Sequence, residues 1–158
     1  MEKGLIVDKT NNGKGILATK NFLKGRIVCQ IKGRVYSAKH VYKTGGKFAD
    51  NTFRFGPESY LSPTGYIGDF LNHSCKPNVG LRKRNNKLFL ISLRNIKSGE
   101  EIFLDYSTII GDDDIWKMKC KCGSKDCRGV IKNFGSLAEN LQEAYIKQNI
   151  VPKYILNV

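Results

Sequence analysis

The sequence predicts a mainly β protein in which short strands precede a single C-terminal helix. Two observations carry this. Runs of four to seven residues rich in β-branched or aromatic side chains recur through the first two-thirds, bounded by Gly, Asn or Lys. Helical spacing of apolar residues emerges only near the end of the chain.

Taken in order, the strand candidates are LIVD (5–8), GILAT (15–19), RIVCQI (26–31), RVYS (34–37), KLFLISL (87–93) and EIFLDY (101–106). Each is too short to make a stable helix on its own. KTGGKFADN, residues 43–51, reads as a Gly-containing mobile loop. RKRNNK, Arg82 to Lys87, is the densest basic cluster and reads as a solvated hairpin turn, with Asn-Asn between basic strand ends. In the tail, Leu137, Leu141, Ala144 and Tyr145 fall on one helical face over 136–149. Ser136 is the candidate cap, with Glu139 three residues on.

At 158 residues and 41% hydrophobic the chain is long enough and apolar enough for a folded core. No apolar run reaches membrane-spanning length. The N-terminal MEKGLIVDKTNNGKG breaks into Asp, Asn and Gly too early for a signal peptide, so an intracellular protein with no membrane partner is expected. Twenty-seven Lys and Arg against 14 Asp and Glu give a net charge of +13. A solvated Lys-rich surface and a polyanion-binding surface fit that charge equally well. Contact with nucleic acid, nucleoprotein or acidic proteins is expected at low salt.

Five cysteines in an intracellular chain argue against a disulfide framework. Cys29 lies in an apolar strand and reads as core. Cys120, Cys122 and Cys127 form C-x-C-x4-C in CKCGSKDC, three ligands of a structural zinc site that wants four. The remaining donors are His40, His73, Cys29 and Cys75, and Cys75 is the natural fourth.

FLNHSCKPN, residues 70–78, gathers an amide, an imidazole, a hydroxyl and a thiol, all costly to bury without partners. GKGILAT, FLNHSCKPN, RNIKSGEEIFLDYS and CKCGSKDCRG occur in that order. The ordered set resembles the SET-domain protein-lysine methyltransferases, over roughly residues 3 to 132. The resemblance implies a β-clip fold of small curled sheets, with the N-H-S-C segment threaded under a loop of the D-Y segment as a pseudoknot. It implies three segments: a SET domain (1–110), a post-SET cysteine-rich zinc segment (111–134) and a C-terminal helical extension (135–158).

The activity implied is transfer of a methyl group from S-adenosyl-L-methionine to the lysine of a protein substrate, such as a histone-like, chromatin-associated or other basic protein. Tyr106 matches the catalytic tyrosine. Asn12, Gly13, Lys14 and Gly15 match the cofactor loop, with Asn72 and His73 facing the cofactor. Cys75 joins Cys120, Cys122 and Cys127 on zinc. Leu104, Phe53 and Trp116 would line the substrate channel. Leu104 stands where relatives carry Phe or Tyr, which predicts capacity for more than one methyl group. Thr64, Tyr66 and Asp69 replace the family's usual Tyr, Asn and Arg, and Tyr60 or Tyr66 would supply the missing ring. The alternative reading is a catalytically weak SET-like module, or a small zinc protein that binds nucleic acid or a protein partner. Oligomeric state is not legible in the sequence.

Overall fold

The computed structural model describes residues 3–11 and 13–156. Its strands are β1 (Leu5–Thr10), β2 (Gly13–Ala18), β3 (Ile27–Ile31), β4 (Arg34–Ser37), β5 (Phe53–Gly56), β6 (Ser59–Ser62), β7 (Asn72–His73), β8 (Val79–Arg84), β9 (Lys87–Ser92), β10 (Phe103–Leu104), β11 (Met118–Lys119) and β12 (Val130–Ile131). Short helices α1 (Ala38–Thr44) and α2 (Gly46–Asp50) follow β4, and α3 (Glu139–Lys147) and α4 (Lys153–Leu156) close the chain. Mainly β, in small curled sheets, is the fold the sequence led us to expect.

The strands form four sheets, ordered β1-β2, β4-β6-β5, β3-β9-β8-β10-β7 and β11-β12. The five-stranded sheet positions the site. β8 and β9 form a hairpin closed by Asn85 and Asn86, both with φ near +50°. That is the left-handed turn that an Asn pair in a basic hairpin favours. β10 comes from some twenty residues further along, yet it runs parallel to both β7 and β8 and lies between them. The chain from Asn72 to Val79 must therefore open to admit a later segment. Asn78 seals the gap: its side chain accepts from Phe103 N at 2.8 Å and donates to Glu101 O at 2.7 Å. Its burial is compensated on both ends.

The β1–β2 hairpin docks on the segment leading into β10 through Ile102 N to Ile16 O, 2.8 Å, and Ala18 N to Glu100 O, 2.9 Å. One apolar core runs from Leu5 to Ile131 and includes the fully buried Ile16, Leu81, Leu88, Leu90, Ile102 and Leu104. Cys29 sits in it, as its apolar strand suggests. A second cluster joins Phe134, Leu137, Tyr145, Ile150, Val151 and Ile155. It lies against β8, where Gly80 leaves room for Ile150; a Cβ there would overlap the Ile150 side chain.

Two expectations need correction. Residues 43–51 are not an irregular loop but the end of α1 and all of α2. Ser37 caps α1 by accepting from His40 N, and Gly45 and Gly46, both at positive φ, make the corner between the helices. The ring of Tyr36 stacks on His40 and meets Phe48 edge-on, so aromatic packing holds a segment whose glycines suggest mobility. The terminal helix starts at Glu139 rather than Ser136. Ser136 ends a 3-10 turn (Phe134–Ser136) capped by Asn133, which competes for the same backbone. Among the described residues no helix is long and apolar enough to cross a membrane.

Candidate active site and metal centre

The polar stretch at 72–75 lies where the interleaved strands meet. Asn72 donates to Lys14 O at 3.0 Å and to Glu101 Oε1 at 2.7 Å, tying β2 to β7. Gly15 is required there, since an added Cβ would overlap Glu101 and come within 2.9 Å of Asn72 Nδ2. His73 Nδ1 accepts from Tyr106 N at 3.1 Å, and its Nε2 lies 3.4 Å from Cys75 Sγ. Burial, partly opposed by Asp105, lowers His73 to about 4, so the ring is neutral near pH 7. An accepting Nδ1 then leaves the proton on Nε2, pointing at sulfur.

Tyr106 opens a 3-10 turn (Tyr106–Ile109) capped by Asp105, which accepts from Ser107 N at 3.1 Å. The Tyr106 hydroxyl donates to Leu71 O. Burial raises its pKa, so the phenol keeps its proton. Two cavities flank this ring. One, of about 400 Å³, lies among α1, α2, Phe53, Tyr60, Leu71 and residues 109–117. The other, of about 450 Å³, lies among Asn72, His73 and residues 116–122. Tyr106, Trp116, Asp50 and Lys117 line both. Trp116 is held by its Nε1, which donates to Asp50 Oδ1 at 2.8 Å, and its ring lies 6.3 Å from that of Tyr106. The two rings stand where the cavities adjoin.

The structure thus brings Tyr106, Trp116 and Phe53 to the first cavity and Asn72, His73, Tyr106 and Trp116 to the second. Lys14 and Gly15 meet Asn72, which lines the second cavity, and neither cavity includes Gly13, Lys14 or Gly15 among its walls. Asn12 lies outside the described residues. Leu104 lines neither cavity: it is fully buried in β10, paired with His73 and Val79. Tyr60 lines the first cavity, whereas Tyr66 is exposed and lines neither. Asp69 accepts from Asn51 and from Gly65 N, so it ties the end of α2 to the turn before β7.

Of the thiols, Cys75 Sγ and Cys120 Sγ lie 3.7 Å apart. The donor atoms of His73, Cys75, Cys120 and Cys122 all fall within 4.8 Å of one another. Tetrahedral zinc–sulfur bonds of about 2.3 Å put ligand sulfurs roughly 3.8 Å apart, so the thiols fit that ion. Backbone N–H groups aim at them: Arg128 N at Cys75 Sγ, 3.4 Å, and Cys75 N at Cys122 Sγ, 3.5 Å. Burial pushes the Cys122 thiol up, but hydrogen bonds from Cys75 and Ser124 N–H outweigh it and bring it to about 6. Cys127 is exposed, donates to Cys120 O at 3.8 Å and is not among those four clustered donors.

Sequence reasoning passed over the carboxylate at the centre. Asp105 is wholly buried and receives a two-pronged Arg128 guanidinium at 2.6 and 2.8 Å. Arg54 is equally hidden, paired with Asp113 and with Asp114 at 3.1 Å, which pins the 112–114 acidic run against β5. The available signal was an acid inside an apolar strand (LDY) and an arginine directly after the last cysteine.

Interleaved parallel strands, a tyrosine between two cavities and a thiol cluster on the N-H-S-C segment define one class of fold. Residues 13–107 match the SET domain, more than half of the chain, and the protein belongs to that family. Its relatives include "Histone-lysine N-methyltransferase Su(var)3-9" of Drosophila melanogaster, 29% identical over 80% of this chain. "Histone-lysine N-methyltransferase SUV39H2" of Xenopus tropicalis is 28% identical over 80% of it. The chain spans 25% and 39% of the length of these two proteins. The methyltransferase domain of human histone-lysine N-methyltransferase SETMAR superposes with a TM-score of 0.67 at 30% identity, over 82% of this chain and 58% of that one.

Proposed function

We infer that the protein is a protein-lysine N-methyltransferase that uses S-adenosyl-L-methionine. The observation that carries this reading is Tyr106, partly buried, at the junction of two cavities and hydrogen-bonded to Leu71 O. The similarity to proteins named as histone-lysine N-methyltransferases supports it. A chromatin-associated or other basic protein, met inside the cell, is the substrate class. On this reading the chain divides into a SET domain (1–110), a post-SET segment (111–134) and a C-terminal extension (135–158).

S-adenosylmethionine supplies the methyl group on a sulfonium. Asn72 and His73 would bind it in the second cavity, with Gly13, Lys14 and Gly15 setting Asn72. The substrate lysine enters from the first cavity, between Phe53 and Trp116. A free lysine has a pKa of about 10.4 and is charged at neutral pH. No lining group is placed as its base: His73 is a weak base whose Nδ1 already accepts from Tyr106 N and whose Nε2 faces Cys75 Sγ, Asp50 is engaged by Trp116, and Asp114 accepts from Tyr60 and Tyr42. Desolvation among Phe53, Leu71, Tyr106 and Trp116 therefore favours the neutral amine, whose proton leaves to solvent. The Tyr106 proton is committed to Leu71 O, so its oxygen lone pairs are free to orient the amine.

Cys75, Cys120, Cys122 and Cys127 would hold a structural zinc. His73 lies within the cluster, but its Nε2 carries the proton while Nδ1 accepts from Tyr106 N, so we assign it as an N–H···S donor to Cys75. The ion would fix β11–β12, and with them Trp116, against the N-H-S-C segment. Purified protein is expected to contain about one zinc per chain, and chelation should expose residues 118–131 to protease while β8–β9 stays protected. A folded chain with no metal would refute the assignment.

The test of function is transfer of labelled methyl from S-adenosylmethionine to proteins of a whole lysate and to isolated histones. Label on lysine in discrete proteins is the expected result. A folded chain that binds no S-adenosylmethionine and labels nothing would overturn the reading in favour of a SET-like binding module.

A further inference from the structure

The C-terminal helix lies outside the residues that match the SET domain, yet it reaches the centre of the site. Tyr145 OH donates to Asp105 Oδ2 at 3.1 Å, with both side chains buried. Asp105 Oδ2 also accepts from Arg128 Nη1, and Oδ1 from Arg128 Nη2 and Ser107 N. The main-chain oxygen of Asp105 accepts from Thr108 N and Thr108 Oγ1. That carboxylate caps the turn which begins at Tyr106, and Tyr106 N in turn bonds His73 Nδ1, 3.7 Å from Asp105 Oδ1. The helix itself is anchored from the other side. Arg82, on β8, donates to Gln148 O and Asn149 O, both at 2.9 Å, at the end of α3 where carbonyls lack helical partners. Ile150 fills the space over Gly80.

We propose that Tyr145 is a positioning residue for Tyr106: its hydroxyl fixes the Asp105 carboxylate and, through it, the turn that aims the tyrosine between the two cavities. The inference rests on the methyltransferase reading for its kinetic consequence and on the hydrogen-bond circuit for its structural one. Burial, together with the adjacent carboxylate, keeps the Tyr145 phenol protonated and donating. A helix serving only to cover β8 has no need of a hydroxyl at this place, since phenylalanine would fill the same volume.

The experiment compares Tyr145→Phe with Ile155→Val, a change in the same apolar cluster that touches none of the circuit. Two quantities are read: steady-state methyl transfer, and amide hydrogen exchange by mass spectrometry over residues 103–109. Tyr145→Phe is expected to lower kcat about fivefold with KM for both substrates unchanged, and to speed exchange at 103–109 by a similar factor. Ile155→Val is expected to lower Tm with neither effect. A Tyr145→Phe protein with kcat within twofold of wild type and unchanged exchange at 103–109 would overturn the proposal. If the wild type transfers no methyl group, the function above fails, and the exchange measurement still decides the coupling.

Discussion

Tyr106→Phe is expected to lower methyl transfer by about 10²–10³-fold while leaving S-adenosylmethionine binding and Tm nearly unchanged. The ring remains to pack between His73 and Trp116, at centroid distances of 5.2 and 6.3 Å. What goes is the bond to Leu71 O and, on the proposed reading, the oxygen that would orient the amine. Because burial holds the phenol protonated, its contribution is placement and not proton abstraction. The pH–rate profile of any residual activity should therefore keep the wild-type shape. Single-turnover rates with saturating cofactor, read beside a cofactor titration, check this. Loss of cofactor binding in step with rate would move Tyr106 from catalysis to assembly of the second cavity.

Arg128→Ala is expected to cost about 3 kcal/mol of stability, the lower end for breaking a buried ion pair. The lower end applies because the arginine side chain retains 22% exposure while Asp105 has none. The variant leaves a carboxylate buried with Tyr145 OH and Ser107 N as its remaining side-chain contacts, which is the costly direction of such a change. Denaturant unfolding would show it. Asp105→Asn with Arg128→Met should recover part of the loss, because both charges leave together. If Arg128→Ala unfolds at the wild-type midpoint, the ion pair is not holding the loop around Cys127 to the site.

Several features were legible in residues alone. The β-branched run at 5–8 lies within β1, those at 26–31 and 87–93 match β3 and β9 to within one residue, and the Asn85–Asn86 turn closes the hairpin its neighbours announced. Period-two patterning and turn chemistry are local, and they survive packing. The helices at 38–50 were not legible, because the rings that hold them, Tyr36, His40 and Phe48, are dispersed among glycines and lysines with no helical period. Ser136 had the right chemistry for a cap, but a neighbouring 3-10 turn claimed it.

At the site, ordered motifs pointed to Asn72, His73 and Tyr106, whose meeting depends on chain crossings that no single segment encodes. The ionic scaffold was harder to see. Asp105 with Arg128, and Arg54 with Asp113 and Asp114, are separated by 23 to 60 residues, and a charged residue read alone is a solvated one. Leu104 shows the opposite limit. Its place two residues before the tyrosine suggests a channel wall, and the structure buries it fully in β10 between β7 and β8.

The insertion of β10 between β7 and β8 also governs the order of assembly. Both neighbours leave the ribosome before the strand that joins them, so until residue 104 has emerged the two strands face an empty lane in the sheet. The β8–β9 hairpin is a local contact and can form early, whereas closing the lane requires two long loops to be ordered at once. The second cavity, the Tyr106 turn and the thiol cluster all depend on that closure. During synthesis a nascent chain would carry a formed scaffold and an unformed site, with His73, Cys75 and the edges of β7 and β8 open to mispairing or oxidation until the last third of the protein arrives.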